Sequence, residues 1–162
     1  MRNVDPRELL KREVDAGLYR EVRELWKRHS IAEDNRDIPG LLATLTPDCV
    51  YELVPGGDLW TGHEGAAEFY RSLLAAFPDI KFHLRSIIIG PQGVAEEADV
   101  TATRRGDWPP GPPREQPGGS SADLFRRSGR AGEPVAFRVA IFFPWDAERK
   151  LFGGERVYVG GG

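Results

Sequence analysis

The feature that most constrains this chain is a change of hydrophobic period partway along it. Up to about Pro78 the apolar residues recur at three- and four-residue steps, and from Ile80 onward they alternate. Leu18, Val22, Leu25, Trp26 and His29 fall on one stripe of a helix running to about Asp34, with Arg, Glu and Lys opposite. Asp37 caps a short second helix, with Pro39 in its first turn and Leu41, Leu42 and Leu45 as its buried side. A third helix, from Gly65 to about Phe77, carries Ala66, Phe69, Tyr70, Leu73 and Leu74 at helical spacing and ends at Pro78. Between the second and third helices, residues 49–54 form a strand with Cys49, Tyr51 and Leu53 on one face and Val50, Glu52 and Val54 on the other. The segments 80–89, 94–103, 135–143 and 150–159 read as further strands, with hairpin turns at Pro91-Gln92-Gly93 and at 146–149. Helices first and hairpin-linked strands afterwards is an α+β order: three N-terminal helices packed on one face of a curved, mostly antiparallel sheet.

A chain of 162 residues supports one domain with a real core. Residues 1–16 are a charged lead-in and 17–162 the domain, interrupted at about 107–134 by a Pro/Gly-rich insertion that holds much of the chain's 13 Pro and 19 Gly. Trp108, Leu124 and Phe125 give that insertion apolar material with which to cover a pocket; the competing reading is a mobile excursion. The 22 Lys and Arg against 25 Asp and Glu are interspersed, so no basic face for nucleic acid or anionic lipid is expected. No stretch is apolar and long enough for a secretory signal or a membrane span, which points to the cytoplasm. The single Cys49 cannot form an internal disulfide, and His29, His63 and His83 lack metal-ligand spacing. Neither a metal nor any other cofactor is expected.

Three stretches resemble a known family. LLATLTPDCVYELVPGGDLWTGHEGAAEFYRSLLAAFPDIKF is similar to the SnoaL-like pattern of a short helix, an aspartate before the first strand, a Gly-x-x-Gly helix entry and an Ala-Phe-Pro-Asp exit. DVTATRRGDW with PPGPP resembles the family's third-strand end and following loop, and FRVAIFFPWDAERKLFGGERVYV its final hairpin. The resemblance implies a cone-shaped α+β barrel of the nuclear-transport-factor-2-like superfamily around one pocket for a small, largely apolar organic molecule. It also implies cofactor-free acid–base chemistry of the polyketide-cyclase, isomerase or epoxide-hydrolase kind, or a non-catalytic binding or dimerisation module of the same fold. Laid on the ketosteroid isomerase pattern, the catalytic aspartate falls on Leu53, the oxyanion tyrosine on His29 and the second acid on Ile141, so that chemistry is not expected. Against the limonene-type hydrolases, Asp99 takes one acid position, Glu97 stands where an arginine belongs, and Tyr51 matches the tyrosine. On the last strand, where cyclases carry an aspartate, this chain offers Glu155 and Arg156.

Alternation places Glu97, Asp99, Thr101 and Thr103 on one strand face and Ala98, Val100 and Ala102 on the other. With the polar face inward, two carboxylates about 7 Å apart would share the interior and one pKa would rise; with the aliphatic face inward, both are solvated. On the first alternative Asp99 is the leading proton-transfer group, with Tyr51 and His29 orienting substrate or water. Glu97, Leu53, Trp60, Arg138 and Glu155 are the expected substrate contacts. His29 has a second reading, as a core histidine satisfied by a carbonyl or carboxylate. Apolar residues on both faces of the strand 135–143 call for a cover on the outer face, and a homodimer is the expected one.

Overall fold

The computed structural model describes residues 5–54, 57–109 and 130–160. Of the insertion, 110–129 lie outside the described residues, and Leu124 and Phe125 with them. Helix α1 (Pro6–Leu10) stands within the lead-in, capped by Asp5. Helix α2 (Ala16–Asp34) starts at Asp15, whose carboxylate accepts the Leu18 amide at 2.8 Å and so satisfies one of the free N–H groups of the first turn. Its stripe buries Val22, Leu25, His29 and Ala32. Asp37 caps α3 (Ile38–Leu42) by accepting the Gly40 amide. Leu45, expected at the end of this helix, is instead the first residue of β1 (Leu45–Val54), buried opposite Phe152.

A short strand absent from the sequence reading, β2 (Asp58–Thr61), pairs antiparallel with β1 and carries Trp60 opposite Tyr51. Its four residues are too few to show alternation. Helix α4 (Gly62–Ala76) buries Ala66, Phe69, Tyr70 and Leu73. The strands β3 (Lys81–Gly90), β4 (Gly93–Thr103), β5 (Pro134–Asp146) and β6 (Leu151–Gly160) follow, each antiparallel to the next.

Sheet order is β2-β1-β6-β5-β4-β3, with β1 parallel to β6. The helices and sheet form an α+β cone whose sheet does not close on itself. The side chains of Tyr51, Leu53, Ala98, Val100, Val139, Ile141 and Val157 meet those of α2 and α4 in one core. At the β1–β6 seam Gly154 has φ of +109°, and a Cβ there would overlap the carbonyl of Val50. Only glycine permits that approach, which fixes the register in which the neighbouring Glu155 enters the core.

Candidate active site

Four elements deliver polar groups to one buried point. His29, the fourth turn of the inward stripe of α2, is 0% exposed, and Glu155 of β6 is 4% exposed. His29 Nε2 lies 2.9 Å from Glu155 Oε1. Tyr70 of α4 donates its hydroxyl to the same Oε1 at 2.7 Å, and the Tyr51 hydroxyl of β1 lies 3.1 Å from that of Tyr70. Since the Tyr70 proton is committed to Glu155, Tyr51 donates to the Tyr70 oxygen. On the far side of the imidazole, the Thr44 hydroxyl donates to the Leu41 carbonyl at 2.6 Å and lies 2.6 Å from His29 Nδ1. Its oxygen therefore accepts from Nδ1–H, and the proton on Nδ1 is fixed.

That assignment leaves Nε2 facing Glu155 Oε1. A proton on that contact can pass between the two partners over 2.9 Å, and the Tyr70 hydroxyl oxygen lies 3.1 Å from the same Nε2. Burial, and then the charge of Glu155, hold both phenols well above the ordinary tyrosine range, so Tyr51 and Tyr70 remain donors.

Glu155 also faces a small pocket of about 30 Å³ walled by Phe69, Leu73, Phe82, Ile141 and Trp108, with Glu33 on its rim. That volume holds on the order of one water. Trp108, 3% exposed, shuts one side: its ring lies parallel to Trp60 within 3° at 6.3 Å and edge-on to Phe69 at 5.3 Å, and its indole N–H reaches Ser72 Oγ at 3.1 Å. The stem beneath it is pinned by Arg105 N to the Ala76 carbonyl at 2.7 Å.

A second acid stands inside the cone. Glu96 of β4 accepts the Trp26 indole N–H at 2.7 Å, and burial, opposed by that hydrogen bond and aided by the charge of Glu155, pushes its pKa up to about 7.

Of the residues singled out from the sequence, His29, Tyr51 and Glu155 come together. Leu53 is buried in the core, and Trp60 packs edge-on to Phe69 at 5.1 Å, outside the pocket lining. The inward placement considered for Asp99 and Glu97 is corrected: both project from the outer face of the sheet. There Asp99 accepts from Arg85 at 2.6 Å and from Arg138 at 2.9 Å, and Arg138 lies 3.4 Å from Glu97. The Asp99 side chain is 39% exposed, and these hydrogen bonds, Arg85 first and Arg138 next, hold its pKa below the ordinary carboxylate range. The aliphatic residues Ala98, Val100 and Ala102 take the interior because the helices offer them an apolar surface. Arg138 faces outward with its acids and is not in the pocket wall.

Sequence reasoning missed Tyr70, Thr44, Glu33 and Glu96 as site residues. Two signals were available. Glu33 is four residues beyond His29 on the same helix face, and Glu96 is the lone acid among Val94, Ala98, Val100 and Ala102 on the aliphatic face of its strand.

A family model of the SnoaL-like domain matches residues 26–149, which span α2 to the final hairpin and so contain all of the site except Glu155. The chain belongs to the SnoaL-like domain family. No curated protein is similar enough in sequence to this SnoaL-like chain to count as a relative. Among solved structures, a protein assigned as a SnoaL-like polyketide cyclase from Jannaschia sp. CCS1 superposes with a TM-score of 0.69 at 14% identity, over 91% of each chain. A protein with a ketosteroid isomerase-like fold from Catenulispora acidiphila, in complex with trimethylamine, gives 0.60 at 13% identity, over 83% of this chain and 84% of that one. RV0760c from Mycobacterium tuberculosis, in complex with estradiol-17beta-hemisuccinate, gives 0.60 at 14% identity, over 85% and 92%. At these identities the likeness is one of fold. No helix among the described residues is long and apolar enough to cross a membrane.

Proposed function

We propose that this SnoaL-like protein is a cofactor-free acid–base enzyme acting on a small, largely apolar organic molecule, with Glu155 and His29 as its proton-transfer pair. The observation that carries this is the buried Glu155 carboxyl, held by Tyr70 and His29 on one oxygen while it faces the pocket. The leading role first given to Asp99 passes to Glu155. His29 and Tyr51 keep their orienting roles, His29 by sharing the proton and Tyr51 by fixing Tyr70. A proton leaves a ligand carbon next to a carbonyl, or a water attacking an epoxide, for the Glu155–His29 pair, and returns at the product atom. No oxidant or reductant enters. Relatives of the same fold support a pocket of this kind, one holding a steroid ester and another an amine.

The test is a panel of small ketones, esters and epoxides in deuterated buffer, followed by NMR, with Glu155→Gln beside the unaltered protein. Deuterium uptake or turnover above buffer, lost by at least about a hundredfold in the variant, is expected. Equal rates in both proteins would remove the proposed pair. One observation favours a second reading, that of a ligand-binding or dimerisation module: the pocket of about 30 Å³ has no room for a substrate while Trp108 is seated. Rates no faster than buffer across the whole panel would leave that reading.

A homodimer through the outer sheet face belongs to the same proposal. Ile88, Phe142 and Tyr158 are exposed there, in and around an open trough of about 950 Å³ flanked by the Arg85, Asp99 and Arg138 ion pairs. An apolar face bordered by fixed charges suits a self-complementary contact. Sedimentation of a monomer at micromolar concentration would exclude it.

A further inference from the structure

Glu33 plays no part in the network around Glu155, yet it lines the same pocket. It sits one helical turn beyond His29, so the two side chains lie on one face of α2, and Glu33 and the β6 carboxyl both line the pocket. Among the described residues its carboxyl takes no hydrogen bond and no ion pair, whereas Glu155 has Tyr70 and His29, and Glu96 has Trp26. The walls around it, Phe69, Leu73, Phe82 and Trp108, offer no polar side-chain partner apart from the Trp108 indole, already given to Ser72. An acid half-buried in an apolar wall without a protein partner is left to bond with water or with a ligand that enters the pocket.

Resting on the Glu155 reading, we infer that Glu33 is a second ligand-facing acid of this pocket, which as a neutral carboxyl donates its O–H to an oxygen of the bound molecule. The ligand class follows: a neutral carbonyl- or ether-bearing apolar compound, its oxygen toward Glu33 and its reactive carbon toward Glu155. The groups facing Glu33 agree. Burial first, then the charges of Glu155 on β6, Glu96 on β4 and the adjacent Asp34, raise its pKa well above the usual carboxylate range, with only Arg36 acting the other way. In the reaction, Glu33 hydrogen-bonds the oxygen on which charge develops as the carbon–hydrogen bond breaks toward Glu155, and the proton returns when the bond re-forms.

The probe is acetophenone, which carries one carbonyl and does not titrate, with benzylammonium as its cationic counterpart. Binding is followed by tryptophan fluorescence in the unaltered protein and in Trp108→Gly, where space for the ring is assured. Each is combined with Glu33→Gln and Glu33→Leu, and folding is checked by thermal melts. Acetophenone is expected to bind about tenfold more weakly when Glu33 is Leu and within about threefold when it is Gln, whose amide still donates. With Glu33 present, affinity falls as rising pH ionises it, since a carboxylate cannot donate; with Gln, affinity is flat. Equal binding by the Leu variant, or tighter binding of benzylammonium than of acetophenone at pH 7, overturns the inference. If turnover is nonetheless lost in Glu155→Gln, the Glu155 reading survives that failure. The expected Glu33 dependence with turnover indifferent to Glu155 has the reverse meaning. Absence of acetophenone binding even in Trp108→Gly removes both.

Discussion

Tyr70 donates its hydroxyl to Glu155 at 2.7 Å across 85 residues of chain, and so ties α4 to the last strand of the sheet inside the core. The bond also sets the direction of the chain of donors behind it, because with its proton given to Glu155 the Tyr70 oxygen is left to accept from Tyr51 at 3.1 Å. Tyr70→Phe removes one donor from Glu155 and strands the Tyr51 hydroxyl. A loss of about 1–3 kcal/mol is expected by urea denaturation, and Tyr51→Phe, which strands nothing, should cost less. Equal losses would mean that the two phenols are not arranged in series.

Glu96 makes stability depend on pH. Its pKa is about 7 in the fold and 4.5 in the unfolded chain, so the folded state holds a proton that the unfolded state gives up. Stability is therefore greatest below pH 4.5 and falls as pH rises toward 7, after which this contribution stays constant. The full difference is on the order of 3 kcal/mol. Glu33 acts with the same sign. Glu96→Gln keeps an acceptor for Trp26 and should raise stability at pH 8 while reducing the slope between pH 5 and 7, read from denaturation midpoints across that range. An unchanged slope would place Glu96 in water.

Asp99→Asn should leave any turnover or ligand binding within about twofold of the original, because the side chain lies on the far face of the sheet and touches only Arg85 and Arg138. Whatever stability it loses should shrink as salt is added, since these partners are exposed. A large, salt-independent effect on turnover would return Asp99 to the site.

Gly154→Ala should be among the most damaging small changes in the chain. The new methyl meets the Val50 carbonyl, and the backbone there, at φ of +109°, disfavours any side chain. A loss of at least about 2 kcal/mol is expected, with the β1–β6 seam displaced and Glu155 moved with it. Thermal melts with and without added ligand test both parts. Gly153→Ala, whose Cβ meets nothing closer than 3.8 Å, is the control.

The sequence was most legible where a long period repeats. The stripe of α2, the Pro78 stop and the alternation of the late strands each depend on many residues that agree, and each marked its element to within a few residues. Parity within a strand was also readable, and it grouped Glu97 with Asp99 correctly. Which face turned inward was not, because that is decided by the apolar surface of helices far away in the chain. The same limit hid the convergence on Glu155. His29, Thr44, Tyr70 and Glu155 come from four separated segments, and the choice of Tyr70 over Phe69 as a polar partner depends on where the helix settles against β1 and β6. β2 and the displaced end of α3 were lost for the opposite reason, being too short to carry a pattern.

The parallel pairing of β1 with β6 has a consequence for synthesis. The run from β3 to β6 can zip up through neighbouring hairpins, but β1 and β2 have no sheet to join until the last ten-residue strand has left the ribosome. A nascent chain halted before Leu151 would hold its early helices against half an interior, with an apolar strand edge open to other chains. The C-terminal strand is thus a late keystone, and stalling or proteolytic trimming near 150–160 should yield insoluble material rather than a weakened fold.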